Sequence, residues 1–587
     1  MHRLTLTYNN MTIIIVGTLA LLVSPRANAI EVTGTTPTLN TITAPTNSSI
    51  TVTFDQPVNP ASVTSNSFWA FGRWSGTAVG TFSFSGGGQS VTLTPNQPFF
   101  TGESVMVILS HDIQAVGGSF LRAAGYSFIF WTASQPSTLN FEELVTFSTR
   151  TTPFQSTRSY GGVGSDLNED GYVDLAIVNE DTSDLRVYLN LADGSGLFGS
   201  MLAPPTPIQD QGSPNEPSDF NRDGHVDLAV CNAGVSTVSV LLGNGNGSFQ
   251  PQQVIPVGVG NHGIAALDVD GDGDTDLVTT NSVSDNVSLL LNNGSGVFGA
   301  ATSFEGGGSG EWTISAGDFD EDGILDIVIG AIYGEQLIVR RGLGNGTFAL
   351  ASVQSGVGGT WMLATGDVNG DGHVDVASAN SFSNEGSISL GNGLGGFSGI
   401  AWYSVDPSAI ASDLGDLDGD GDLDWVISSF SGDFTVLENI GGGVFAFYQE
   451  FPATNAASCA ILMDIDNDGD MDIALVDELD DTVTLMQQDG PILPPTVELV
   501  RGDCNQDGGI NLGDAIFELD VLFGPTPSTT CTDACDFNDD GGENIADPIF
   551  LLTYLFSLGA PPPLPSPLCG TDPTTDSLPC TIHTACP

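Results

Sequence analysis

Between Trp312 and Gln354 the apolar and polar positions fall into four short runs, WTISAGDF, LDIVIGAI, LIVRR and ALASVQ. They are separated by an acidic loop, the turn YGEQ and the glycine-rich turn GLGNGTF. Runs rich in β-branched residues and bounded by Gly and Asn predict strands, here one antiparallel four-stranded sheet of about 50 residues. The unit repeats. Its acidic loop recurs as DLNEDGYVD from Asp166, DFNRDGHVD from Asp219, DVDGDGDTD from Asp268, DFDEDGILD from Asp318, DVNGDGHVD from Asp367, DLDGDGDLD from Asp416 and DIDNDGDMD from Asp464, at steps of 53, 49, 50, 49, 49 and 48 residues. Such a period means stacked supersecondary units. A lone four-stranded sheet with two apolar faces must stack on its neighbours. Radial stacking into a β-propeller meets that need, and seven blades lie within the usual range. A solenoid of parallel rungs would need shorter repeats without hairpins.

The seventh unit offers CAILMDI, MDIALV and TVTLMQ and then runs into DGPILPP with no fourth strand, whereas LNFEELVTFSTR precedes the first loop with no unit of its own. Residues near Glu142 to Thr149 are therefore expected to supply the outer strand of the last sheet and latch the ring. Residues 30–134 also read as short strands (SITVTFDQPVNP, TAVGTFSF, SVTLTPNQPF, ESVMVILS, YSFIFWTA), which predicts a β-sandwich. After the ring at 140–490 comes a proline-rich linker, 491–500. In 501–587, DCNQDGGINLGDAIFELDVLF and DFNDDGGENIADPIFLLTYLF each pass from an acidic loop into a helical run. The expected fold class is mainly β, a sandwich followed by a seven-bladed propeller, with a small α-helical domain at the end.

Composition changes the picture in three ways. The chain of 587 residues holds 71 acidic and 11 basic residues; all 11 are arginine. So acidic a surface repels phosphate backbones and anionic membranes, which argues against nucleic acid as a partner. Residues 1–29 read as a secretory signal, with His2 and Arg3 ahead of an apolar run from Met11 to Val23 and Ala27-Asn28-Ala29 as the cleavage site. That run falls short of the roughly 20 residues a membrane span needs, so a secreted, extracellular or cell-surface protein without membrane insertion after cleavage is expected. Cys231 and Cys459 stand alone, while Cys504, Cys531, Cys535, Cys569, Cys580 and Cys586 crowd near the C-terminus, as disulfides stapling a small secreted domain do.

The loops carry the chemistry. Oxygen side chains at positions one, three, five and nine, glycine at six and a backbone carbonyl at seven suit a hard cation with six to eight oxygen ligands, and favour calcium over the tighter magnesium octahedron. The predicted ligands are Asp166, Asn168, Asp170 and Asp174; Asp219, Asn221, Asp223 and Asp227; Asp268, Asp270, Asp272 and Asp276; Asp318, Asp320, Asp322 and Asp326; Asp367, Asn369, Asp371 and Asp375; Asp416, Asp418, Asp420 and Asp424; and Asp464, Asp466, Asp468 and Asp472. His225 and His373 occupy position seven, with rings expected in solvent. An EF-hand needs an acid at position twelve entering a helix, and in the fifth unit that position is Ser378. The loops are thus hairpin turns. The two C-terminal loops do place an acid there: Asp503, Asn505, Asp507, Asn511 and Asp514, then Asp536, Asn538, Asp540, Asn544 and Asp547. Of the 71 acids, 31 occupy ligand positions. About nine calcium ions would bring the formal charge from -60 to about -42.

The seven loops, each reading D-x-[DN]-x-DG-x-x-D and two of them followed by GNGSF or GNGTF, resemble the FG-GAP/VCBS repeats of integrin-like β-propellers. The resemblance implies calcium in the hairpin loops of one face and ligands met on the opposite face. Ile50 to Pro60 and Thr92 to Pro95 resemble the bacterial Ig-like domain of surface proteins, a spacer without catalysis. The paired C-terminal motifs resemble a type I dockerin, which implies a cohesin-like partner. Glu543 stands where an apolar residue is usual, and Leu512-Gly513 and Ile545-Ala546 replace the polar pairs typical of cohesin contacts. The tail is expected to close a Cys569–Cys580 loop.

Six residues before each loop stand Tyr160, Ser213, His262, Trp312, Trp361, Ile410 and Ser458. Tyr160, His262, Trp312 and Trp361 are the candidate ligand-binding residues, an aromatic shelf for a sugar ring or protein loop; the alternative is that they cap the central channel. No Ser-His-Asp, Cys-His or H-E-x-x-H pattern is legible. The expected function is a non-catalytic, calcium-stabilised adhesion or glycan-binding protein, recognising a glycan or cell-surface protein. The alternative is a polysaccharide-degrading component recruited through its dockerin-like tail, since glycoside hydrolysis needs only two carboxylates.

Overall fold

A computed structural model describes residues 29–452, 455–488, 499–524, 529–539 and 542–557, with scattered positions near the two ends. Most of the signal expected at 1–29 and most of the linker lie outside these residues. The chain divides into two compact units, Met1–Pro491 and Ile492–Pro587.

The first unit begins with a sandwich. One sheet has the strand order Val32–Thr36, Ile50–Phe54, Ser90–Pro95, Gly80–Ser85; the other runs Tyr126–Trp131, Ser104–Leu109, Phe68–Gly72, Gly76–Thr77. Alternation sets the faces: Ile50, Val52 and Phe54 point into a core shared with Phe68, Val107 and Phe128, while Thr51 and Thr53 between them are half-buried.

Seven four-stranded antiparallel sheets follow among the described residues. Their innermost strands are Ser159–Ser165, Gly212–Ser218, Asn261–Leu267, Glu311–Gly317, Thr360–Gly366, Ala409–Gly415 and Ala457–Met463. Each touches the next, and the first touches the last, so the sheets form a closed, propeller-like ring. The second strand of each sheet, such as Asp326–Ala331, is buried at every position. Packing on both faces explains why these strands read as unbroken apolar runs rather than alternations. The outer strand of the last sheet is Phe141–Ser148, paired antiparallel with Thr482–Gln488, the closing strand expected near 142–149. Phe141 locks it by packing edge-on against Phe434 and Phe451.

The sandwich and the segment just after it rest on the acidic-loop side of the ring and bond to all seven loops. Asp166 N–H donates to Trp74 O (2.7 Å), and the Thr77 hydroxyl donates to Asp219 Oδ2 (2.8 Å). The Trp69 indole donates to Gly273 O (3.0 Å), Ser127 N–H to Gly323 O (2.9 Å) and the Asn40 amide to Gly372 O (2.9 Å). Ser137 N–H donates to Asp418 O (3.0 Å) and Gln135 N–H to Gly469 O (2.9 Å). Four of these acceptors, Gly273, Gly323, Gly372 and Gly469, are sixth-position carbonyls, which the ligand pattern leaves free.

In the second unit two helices, α1 (Leu512–Phe523) and α2 (Ala546–Ser557), each follow an acidic loop. Asn511 and Asp514 form a reciprocal capping box at the start of α1. Cys504 pairs with Cys535, and Cys569 with Cys586. The Cys569–Cys580 loop is therefore corrected: Cys569 is bonded to Cys586, the last cysteine of the chain. Cys531 is also disulfide-bonded, while Cys231 and Cys459 are free thiols. No helix among the described residues is long and apolar enough to cross a membrane.

Candidate metal centres and binding face

Each ring loop is built by its own carboxylates. In loop 5, Asp367 accepts the N–H of Asp371 (3.1 Å) and of Gly372 (2.7 Å), curling the chain round its first residue. Gly372 has φ +88°, a left-handed conformation that glycine adopts without penalty. Asp375, at position nine, accepts from Val368 N–H (3.0 Å) and, across the sheet, from Gly391 N–H (2.6 Å). The ninth-position aspartates Asp174, Asp227, Asp326 and Asp424 repeat this double pin, each wholly buried. A ninth-position acid thus ties its loop to the GNG-type turn between the third and fourth strands. Sequence reasoning assigned these acids as ligands and did not foresee the pin.

The carboxylates converge. Asp268, Asp270 and Asp276; Asp318, Asp320 and Asp326; Asp416, Asp418 and Asp424; and Asp464, Asp466 and Asp472 each bring oxygens within 4.8 Å of one another. In loops 1, 2 and 5 an asparagine takes the third position, and its amide donates to the fifth: Asn168 to Asp170, Asn221 to Asp223, Asn369 to Asp371. Asp464 Oδ1 and Asp320 Oδ1 are buried without a hydrogen-bond donor. All-oxygen donor sets with orphaned anionic atoms suit a hard divalent cation such as calcium. In the second unit, Asp503 repeats the curl by accepting from Asp507 and Gly508, and Asp514 accepts from Asn505 and Asn511. Asp547 accepts from Asn538 and Asn544; Asp540 lies outside the described residues.

Burial first, and neighbouring carboxylates after it, pushes Asp174, Asp227 and Asp326 up to about 8 and Asp375 up to about 7. An unfolded aspartate titrates near 4. Without metal the folded chain therefore holds more protons than the unfolded chain between about pH 4 and pH 8, so its stability falls as pH rises through that window. The metal-free protein is expected to melt several degrees lower at pH 8 than at pH 5. Saturating calcium, which competes with those protons, is expected to reverse the order. Thermal melts in both states check this; the same slope with and without calcium would contradict it.

Neighbouring loops pair with one another, a feature sequence reading missed. The seventh residue of one loop meets the fourth of the loop before it: His225 with Glu169, Asp274 with Arg222 (3.1 Å) and His373 with Glu321. The two histidines, expected to point into solvent, are instead about two-thirds covered and held by these glutamates.

On the opposite side, the predicted aromatic residues meet one another. His262 stacks on Trp312 at 4.2 Å, Trp312 lies 4.7 Å from Trp361, and the Trp361 indole donates to the Tyr160 hydroxyl (3.1 Å). They cap the axial channel rather than form an open shelf. His262 is buried, and burial pushes it down to about 3, so it stays neutral. Beneath this cap lies a cavity of about 290 Å³ lined by all seven innermost strands and closed from the loop side by the sandwich. There Arg73 reaches Glu216 (3.2 Å), with Asp413 adding to its charge environment. Around the cap, the turns between second and third strands expose Val235, Val283, Tyr333, Phe382 and Leu479. Tyr333 and Phe382 are 66% and 60% exposed.

Comparison with known proteins divides the chain in the same places. Residues 219–279, 268–329, 318–378, 367–427 and 416–475 match the FG-GAP-like repeat, and residues 26–132 match the bacterial Ig-like domain. The chain thus carries FG-GAP-like repeats behind an N-terminal bacterial Ig-like domain. No curated protein matches it. Similar solved structures include BBS1N in complex with ARL6DN (12% identity, 61% of this chain and 97% of that chain, TM-score 0.41). A catalytically inactive virginiamycin B lyase from Staphylococcus aureus with quinupristin is 12% identical over 59% of this chain and 99% of its own (TM-score 0.41). A protein from Lactobacillus plantarum is 12% identical over 67% of this chain and 98% of its own (TM-score 0.41).

Proposed function

We propose that this chain is a secreted, calcium-stabilised, non-catalytic binding protein that recognises a glycan or cell-surface protein. The seven sheets are the blades of a seven-bladed propeller, and about nine calcium ions fill its loops and those of the C-terminal unit. The paired loop–helix motifs of that unit support a dockerin-like role, docking the chain to a cohesin-like partner in a larger assembly. The observation that carries the reading is the asymmetry of the ring. Its loop side is bonded through every loop to the Ig-like domain or to the segment just after it, whereas its other side exposes apolar tips around an aromatic cap. An exposed apolar patch rimmed by polar residues marks an interaction surface.

Tyr333 and Phe382 are the expected anchors, since large exposed aromatics dominate binding energy. A Tyr333→Ser, Phe382→Ser double variant is expected to melt like the wild type and to lose at least about tenfold in affinity for the ligand found on a glycan or surface-protein array. Unchanged affinity would remove this face as the binding site. Turnover of a polysaccharide by the purified protein, lost on replacing a carboxylate outside the loops, would favour the hydrolase alternative.

A further inference from the structure

Loop 7 holds more carboxylate than one ion requires. Asp464, Asp466 and Asp472 already bring oxygens within 4.8 Å of one another. Asp468 follows at position five, and Asp470 adds a fifth acid at position seven, where the ligand pattern calls for a backbone carbonyl. In loops 2, 3 and 5 the charge at position seven is answered from the preceding loop, His225 by Glu169, Asp274 by Arg222 and His373 by Glu321, whereas Asp422 of loop 6 meets only Gly370 and is half-buried rather than enclosed. The residue of loop 6 that would answer Asp470 is Gly419, which brings no charge.

Asp470 is 1% exposed, and neither of its carboxylate oxygens has a hydrogen-bond donor. The charges bearing on it are those of Asp468, Asp464 and Asp466, all of its own sign. A buried carboxylate surrounded by anions, with no donor, is strongly disfavoured as an anion unless a cation joins it; otherwise it must hold a proton. Loop 3 shows how the fold solves the same problem: the Arg222 guanidinium sits beside Asp274 at 3.1 Å.

We propose that Asp470 and Asp468 bind a second divalent cation beside the loop-7 calcium, with Asp468 shared between the two ions. The second ion stands where a guanidinium stands for Asp274, so loop 7 carries two ions where loop 3 carries one. This rests on the reading of the ring loops as calcium sites.

Native mass spectrometry of the full chain in calcium counts the ions one by one. Asp470→Asn and, as a second variant, Asp470→Ile, which copies Ile324 at the same position of loop 4, are each expected to carry one ion fewer than the wild type. Asp274→Asn, already served by Arg222, is expected to keep the full number. Equal counts in the wild type and both Asp470 variants would overturn the proposal. So would the loss of two ions, which would make Asp470 a ligand of the loop ion itself. A wild-type chain that binds no calcium would instead refute the underlying reading of the loops.

Discussion

Treating the calcium-loaded full chain with EDTA is expected to lower its melting temperature by roughly 15 °C or more. At a free concentration a hundred times its dissociation constant, one ion stabilises the folded state by about 2.7 kcal/mol. Seven such ions outweigh the 5–15 kcal/mol that separates an ordinary folded domain from its unfolded chain. The effect should be cooperative, because each ninth-position aspartate, placed to face an ion, also pins the far turn of its own sheet, as Asp375 does to Gly391. A loop that loses its ion leaves buried carboxylates to repel one another across a closed ring. A calorimetric shift below about 3 °C would show that the loops fold on their backbone bonds alone.

Deletion of Phe141–Ser148 is the second large effect expected. Those residues form the outer strand of the last sheet and pack against its core. Without them Thr482–Gln488 becomes an open edge and Phe434 and Phe451 lose their partner Phe141. The deleted chain should fail to give a cooperative melt, or melt at least about 15 °C lower. A milder version, Phe141→Ala, should cost about 3–5 kcal/mol, as large-to-small changes at buried aromatics do. A deletion variant that melts unchanged would mean that the first and last sheets hold together without the strand.

Much of this was legible in the chain. The 48–53 residue period exposes the repeat because each sheet is a local hairpin unit whose turns demand Gly, Asn and Asp at set offsets. The missing fourth strand of the last unit and the spare strand before the first were visible for the same reason. Long-range partnerships were not. Nothing in the spacing of Arg73 says that it enters the channel to meet Glu216, 143 residues later. Nor does the sequence of Trp69 or Gln135 say that their N–H groups seek the carbonyls of loops 3 and 7. The pairing of Glu169 with His225 was hidden because it joins position four of one repeat to position seven of the next, a match that appears only once the sheets are set side by side. The aromatic residues were placed correctly at the start of the innermost strands, yet their mutual stacking depends on the diameter of the ring, which no single repeat reveals. The pairing of Cys569 is of the same kind, since sequence offers several partners and only the structure selects Cys586.

Hydrogen exchange on the full chain, with and without EDTA, tests most directly whether calcium in the loops holds the ring and carries the Ig-like domain on it. Chelation should expose the loop amides, such as Gly372 and Gly469, together with the contact amides of Ser127, Gln135 and Ser137 that donate to loops 4, 7 and 6. The sandwich core strand Ser104–Leu109, which has its own packing, should keep its protection. Contact amides that stay protected while the loops exchange, or no change at either, would contradict it.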